Sequence, residues 1–303
     1  MSTELWPVQI NRSTHDAMGQ LFVSLSQKAS AEWVLEADIK GCFDWINHDW
    51  LLRNVRMDRV VLRKWLKAGV IHKGLLQKTE AGTPQGGIIS PTLANVTLNG
   101  LESGLQAHLI AQVGKTKARN LKVHVVRYAD DFVITGSSKE LLEQEVKPWV
   151  VEFLKERGLE LSTEKTHVVH IDDGFDFLGW NFRKYAGKLL ITPSKKNVQA
   201  FYRKAKEIIS GHKTARQGQL IDLLNPMLRG WANYHSPVVA KKAFSRMDHL
   251  LFRAIWRWCK RRHSKKKVDW VRKKYFHSVK LRNWVFAGRK VDSNGKWRTA
   301  TLL

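Results

Sequence analysis

The sequence predicts an α+β protein: an antiparallel sheet with packed helices, followed by a helical and strongly basic region. Three observations carry this. Runs of β-branched residues flank an Asp-Asp pair in "RYADDFVITG", apolar residues recur at helical spacing beyond residue 195, and the charge balance changes near Lys188. With 303 residues and 43% hydrophobic content, the chain is long enough for two domains and apolar enough to pack a core.

The elements follow in order. "NRSTHDAMGQLFVSL" reads as an amphipathic helix, and Trp33-Val34-Leu35 as a short strand running to Asp38, then a turn and a helix from Asn47. Gly82, Pro84, Gly86 and Gly87 make a rigid small-residue turn before a helix near Ser90-Pro91, where backbone can approach a ligand. Val123–Val126 and Phe132–Thr135 form the two arms of a hairpin. Past the "YAGK" break, Val198, Phe201, Tyr202, Ala205, Ile208 and Ile209 line one helix face, and Leu220, Leu223, Leu224 and Leu228 another. A later helix is expected from about Lys241 to Arg262.

Asp130 and Asp131 repel one another, and an isolated Asp-Asp pair is ordinary turn chemistry. The apolar strands on both sides change the balance, because they set the pair at the end of a sheet with only Arg127 nearby as a counter-charge. On a strand, adjacent side chains point to opposite faces, but at a tight turn both can approach one site. If Asp38 joins them, three carboxylates converge, too much negative charge to bury without cations. Two Mg²⁺ ions would neutralise it and suit an in-line displacement at phosphorus. Taken alone, Asp38 reads equally well as a cap or turn residue.

Residues 1–188 carry 24 Lys and Arg against 22 Asp and Glu, whereas residues 189–303 carry 28 against 5. That excess, interleaved with Trp231, Trp256, Trp258, Trp270 and Trp284, points to a nucleic-acid phosphate backbone as partner. The basic run from Arg257 to Lys267 exceeds what helix capping requires. Cys42 and Cys259 are the only cysteines, which excludes a disulfide framework and a paired-cysteine zinc site. No apolar run reaches the length of a membrane span, and the start has no signal-peptide pattern. A reducing, intracellular, cytoplasmic setting is expected.

In order and spacing, "ADIKGCFD", "GTPQGGIISPTLANVTLNGLE", "RYADDFVITG", "GLELSTEKTHVVHI", "FDFLGWNFRKY" and "LNPMLRGWANYH" resemble the motifs of the reverse transcriptases encoded by group II introns, the intron maturases. The likeness covers about residues 11 to 285. It implies a right-hand polymerase palm with a remnant of fingers at 1–188, an α-helical thumb and maturase X domain at 189–285, and a short basic tail at 286–303, a remnant of a DNA-binding region. It implies RNA-directed DNA polymerisation and assistance to intron splicing, with Asp38, Asp130 and Asp131 as ligands of two Mg²⁺.

Residue by residue, it implies that Phe43 lies under the incoming sugar and excludes a 2′-hydroxyl, with core packing its plain alternative, that Gln85 lies beside the nascent base pair and the template, and that Lys165 reaches the backbone near the nucleotide, a surface lysine being the commoner case. Leu178, Gly179 and Trp180 correspond to the primer grip. Lys195, Lys196, Arg203, Arg229, Tyr234, His235, Arg261, Arg262, Lys265, Lys266 and Lys267 are the expected RNA contacts, with packing an equal alternative for Arg229, Tyr234 and His235. The implied partners are group II intron RNA, a primer–template duplex and deoxynucleotide triphosphates, with no membrane. Most of the family's N-terminal fingers segment is expected to be missing. Two alternatives follow: a non-catalytic RNA-binding maturase fragment, or half of a split enzyme whose fingers come from a partner chain. The family's optional endonuclease, which needs paired cysteines and histidines, is expected to be absent.

Overall fold

The computed structural model describes residues 12–72, 75–77, 82–83, 89–291 and 296–303. Gln85 lies outside the described residues. The chain divides into two compact units. One holds the described residues up to Leu178 together with Phe182–Leu190, and the other holds Gly179–Asn181 with Ile191–Leu303.

The first unit starts with α1 (Thr14–Leu25), closed by a capping box in which the Ser13 side chain accepts from Asp16 N–H and Asp16 accepts from Ser13 N–H. β1 (Trp33–Ala37) leads into α2 (Cys42–Trp45), α3 (His48–Asn54) with Asn47 as its cap, and α4 (Arg59–Lys67). A small hairpin, β2 (Val70–His72) and β3 (Leu75–Gln77), precedes α5 (Ser90–Leu98), whose first turn contains Pro91. Next come α6 (Leu101–Val113) and α7 (Lys115–Asn120). The hairpin is β4 (His124–Tyr128) and β5 (Asp131–Gly136), and a π-helical stretch, Leu141–Val146, then runs straight into α8 (Lys147–Lys155).

With β6 (His167–His170), these strands form an antiparallel sheet in the order β4-β5-β1-β6. Leu35, Val125, Phe132 and Ile134 point from the sheet into one core with Leu51, Leu62, Leu93, Leu105, Val146 and Leu154 of the helices. Truncating one of these to Ala would cost about 2–5 kcal/mol.

A smaller three-stranded sheet, β7 (Phe175–Phe177), β8 (Trp180–Tyr185) and β9 (Lys188–Pro193), follows, and the boundary between the units passes through it. Within the first unit, Lys184 of β8 is buried, its Nζ donating to Gln27 O at 3.0 Å and Ser30 Oγ at 2.7 Å.

The second unit is built on α9 (Lys195–Gly211), α10 (Gln217–His235), α11 (Lys241–Arg262) and α12 (Val268–Tyr275). Its end departs from the expectation of a tail. The helical pattern stops at Tyr275, and β10 (Phe276–Val279), β11 (Arg282–Val291) and β12 (Trp297–Thr301) form an antiparallel sheet. Phe276 pairs directly with Phe286 across two strands, and both are buried with Ala300 in the core formed by Leu220, Leu224, Met247, Ile255 and Trp258. These apolar side chains complete the core, which is why the segment is not a loose basic arm.

Candidate active site

Asp38 follows the last residue of β1. The β1–β5 register ends at Ala37↔Phe132, so one step further Asp38 stands beside Asp131. On the other side of β5, Asp131 pairs with Tyr128, leaving Ala129 and Asp130 as the hairpin turn. The three aspartates therefore meet at one end of the central sheet. Ala129 adopts a left-handed φ of 55°, which a non-glycine residue holds only at a cost of about 1 kcal/mol. That strain sits beside the aspartate pair, as is common at functional sites.

Arg127 braces this turn instead of neutralising it. Its guanidinium donates to Ala129 O at 2.8 Å, to Asn95 Oδ1 at 3.0 Å and to Asn99 Oδ1 at 3.4 Å, all neutral acceptors. Burial lowers its pKa. Sequence reasoning took Arg127 as the counter-charge and passed over Asn95 of α5 and Asn99, the residue that caps its C-terminus.

The cation that does reach the cluster is Lys165, whose Nζ lies 3.1 Å from Asp38 Oδ2. Among the described residues Asp131 has no ion pair: burial raises its carboxyl pKa, Asp130 and Asp38 raise it further, and Lys165 offsets part of the rise. The donors fit a hard divalent cation, being carboxylate oxygens at one sheet end with a charge imbalance that a cation relieves. Their side chains are not closed into a cage, however. Among the described residues, no group of three or more His, Cys, Asp and Glu is arranged to hold a metal ion.

Phe43 lies in α2, five residues beyond Asp38, half-buried against the core. The segment after it is bound to the small-residue turn, because Thr83 N–H donates to Phe43 O at 2.6 Å and Gly82 N–H to Ile46 O at 2.9 Å. His48 Nε2 lies 2.6 Å from Gly82 O. A Cβ on Gly82, whose φ is 78°, would lie 2.4 Å from Phe43 O, so only glycine fits there. His48 carries no motif signal in the sequence, and only its placement beside Gly82 singles it out.

At the "FLGW" turn, Leu178 and Gly179 have left-handed φ values of 49° and 83°. In the second unit, Ser194 N–H donates to Gly179 O, and a Cβ on Gly179 would meet the Asn197 amide at 2.9 Å. Trp180 is fully buried and stacks on Tyr234 at 4.4 Å between ring centroids, with the planes 5° apart. Asn197 Oδ1 accepts from Trp231 Nε1–H at 2.8 Å and from His235 Nε2–H at 3.0 Å.

His235 has no exposed surface, so in the "RGWANYH" segment it packs and does not face RNA, a correction to its place among the expected contacts. Tyr234 is half-buried, with its ring face taken by Trp180. Lys195, Lys196, Arg203, Arg229, Arg261, Lys265, Lys266 and Lys267 are exposed. Arg262 is exposed too, but its guanidinium donates to Lys213 O and Ala215 O and lies over the Trp258 ring, bolting the α9–α10 connection to α11.

Residues 2–182 match the model of the reverse transcriptase (RNA-dependent DNA polymerase) family, and the chain belongs to that family. Residues 198–276 match the group II intron maturase-specific domain. The chain is 32% identical over 200 residues to protein YkfC of Escherichia coli, covering 55% of this chain and 52% of that protein. It is 29% identical over 233 residues to the group II intron-encoded protein LtrA of Lactococcus lactis, covering 57% and 38%. The chain thus spans about half or less of the length of these relatives. Among solved structures, telomerase from Candida albicans in complex with a telomeric RNA fragment aligns over 85% of this chain and 51% of its own, at 13% identity and a TM-score of 0.44.

Proposed function

We propose that this chain is the palm and maturase portion of a group II intron reverse transcriptase. It extends a DNA primer on an RNA template and binds intron RNA to assist splicing and mobility. The observation that carries this reading is the meeting of Asp38, Asp130 and Asp131 at one end of a β4-β5-β1-β6 sheet, in a chain of the reverse transcriptase family.

Reverse transcriptases use divalent metal, and here the three aspartates would hold two Mg²⁺ ions. When bound, such ions lower the pKa of the attacking hydroxyl and stabilise the leaving phosphate. The chain's own residues position the reactants. Phe43, fixed by the Thr83 hydrogen bond to its carbonyl, screens out a 2′-hydroxyl on the incoming sugar. In this reading the role beside the nascent pair falls to Gln85, Lys165 approaches the nucleotide phosphates, and Leu178-Gly179-Trp180 supply the primer grip. The exposed lysines and arginines of the second unit take the RNA backbone.

Replacing Asp130 and Asp131 by Asn should abolish primer extension while leaving RNA affinity unchanged or slightly stronger, since metal ligands and negative charge are lost but no basic contact is. Primer extension and filter binding on one preparation measure both. Loss of both activities together would assign the turn a structural role. RNA binding with no synthesis by the unmodified chain, with or without an added fingers-bearing chain, would favour an RNA-binding maturase over a polymerase.

A further inference from the structure

We infer that Lys165 is a positioning residue for Asp38: its ammonium stands in for a cation at the carboxylate cluster and holds Asp38 out of the ligand set until a divalent ion displaces it. The inference rests on the polymerase reading of the three aspartates.

The backbone, and not chance reach, delivers Lys165. Lys40 N–H donates to Glu160 O at 2.9 Å, Ile39 bridges to Leu161, and Ser162 N–H donates to Asp38 O at 2.8 Å. Lys165 N–H then closes the turn onto Ser162 O at 3.3 Å. The chain that carries Lys165 is therefore stitched alongside Asp38 before either side chain is considered. From there Nζ settles 3.1 Å from Asp38 Oδ2. Among the described residues no ion pair reaches Asp130 or Asp131, so Lys165 supplies the cluster's one direct cationic partner.

The simpler explanation is an incidental surface pair. The Lys165 side chain is 68% exposed and Asp38 35% exposed, and pairs this exposed bind weakly. Weakness is what exchange requires: a monovalent ammonium held loosely in the field of three carboxylates is displaced by a divalent ion that meets all of them. The pair also accounts for an arrangement that neither carboxylate chemistry nor strand register explains. The three donors share a sheet end, yet among the described residues they form no metal-holding group, and Asp38 is the member that carries the lysine.

The test is Mn²⁺ binding to the full chain without nucleic acid, followed by water-proton relaxation. Lys165→Met should tighten the apparent dissociation constant about two- to tenfold, the range set by releasing an exposed pair and removing a repelling charge. Lys165→Arg should stay near the unsubstituted chain. The difference should shrink as salt is raised, because the exposed pair is screened. Asp131→Asn should abolish the tightened binding. Lys165→Gln serves as the second variant if circular dichroism shows Lys165→Met to be unfolded. A lysine with a merely structural role would weaken metal binding when removed. If the folded variants bind Mn²⁺ no more tightly while Asp131→Asn still weakens it, the inference falls and the polymerase reading stands. If Asp131→Asn changes nothing in any background, both fall.

Discussion

Cys42 lies behind the aspartate turn, 3% exposed, and burial with the added charge of Asp130 pushes its thiol up to about 12. Cys259, fully buried in the second unit, is raised to about 12 by burial as well, despite Arg262 pulling the other way. At about pH 8 both are protonated and inaccessible, so a disulfide reagent should label neither in the folded chain and both in urea. Rapid labelling of one thiol per native chain would show that its pocket opens. The aspartates were legible as residues because their flanking strands are written locally, in runs of β-branched side chains. The partners of the charges were not. Arg127 is two residues from the turn in sequence and, among the described residues, hydrogen-bonds neutral groups, whereas Lys165 lies far along the chain and finds Asp38 through backbone pairing of residues 160–162.

At the scale of elements, Asn197 in the first turns of α9 shows how a motif can look functional and be architectural. One oxygen receives hydrogen bonds from Trp231 and His235 of α10. Phe201 stacks on Trp231 at 4.5 Å beside this junction. Asn197→Ala would strand both donors and should cost about 2–6 kcal/mol, at about 1–3 kcal/mol for each buried group left unsatisfied. Urea unfolding measures this, and RNA affinity of the folded fraction should change little. A variant of full stability that loses RNA affinity would move the cluster to the binding surface. The amphipathic stripes of α9 and α10 were readable, since their spacing repeats over many residues. The burial of His235 was not, because it depends on Trp180 from a strand outside the bundle's own sequence. The sheet beyond Tyr275 was hidden too: its first turn uses Lys280 at a φ of 53° in place of the glycine or asparagine that would mark a hairpin.

Across the whole molecule, the change in charge near Lys188 and the division into compact units fall close together, but not on the same residues, since Gly179–Asn181 sort with the second unit. Composition can register that a partner changes along the chain, yet it cannot show that a strand is shared. On the proposed function, the second unit's 28 basic against 5 acidic residues predicts that RNA affinity resides mainly there. Arg262 must be set apart from its neighbours, because its hydrogen bonds to Lys213 and Ala215 make its removal a stability change. Neutralising Arg261, Lys265, Lys266 and Lys267 together leaves that bolt in place. If all four touch phosphates, the slope of log affinity against log salt should fall by about 3, at roughly 0.7 per contact for single-stranded RNA. Binding should weaken alike for unrelated RNAs, and preference for the intron should fall less than affinity, because backbone contacts position a complex that shape and base contacts specify. An unchanged slope and affinity in this variant would make the run a solvated helix end and move the RNA surface to the exposed Lys195, Lys196, Arg203 and Arg229.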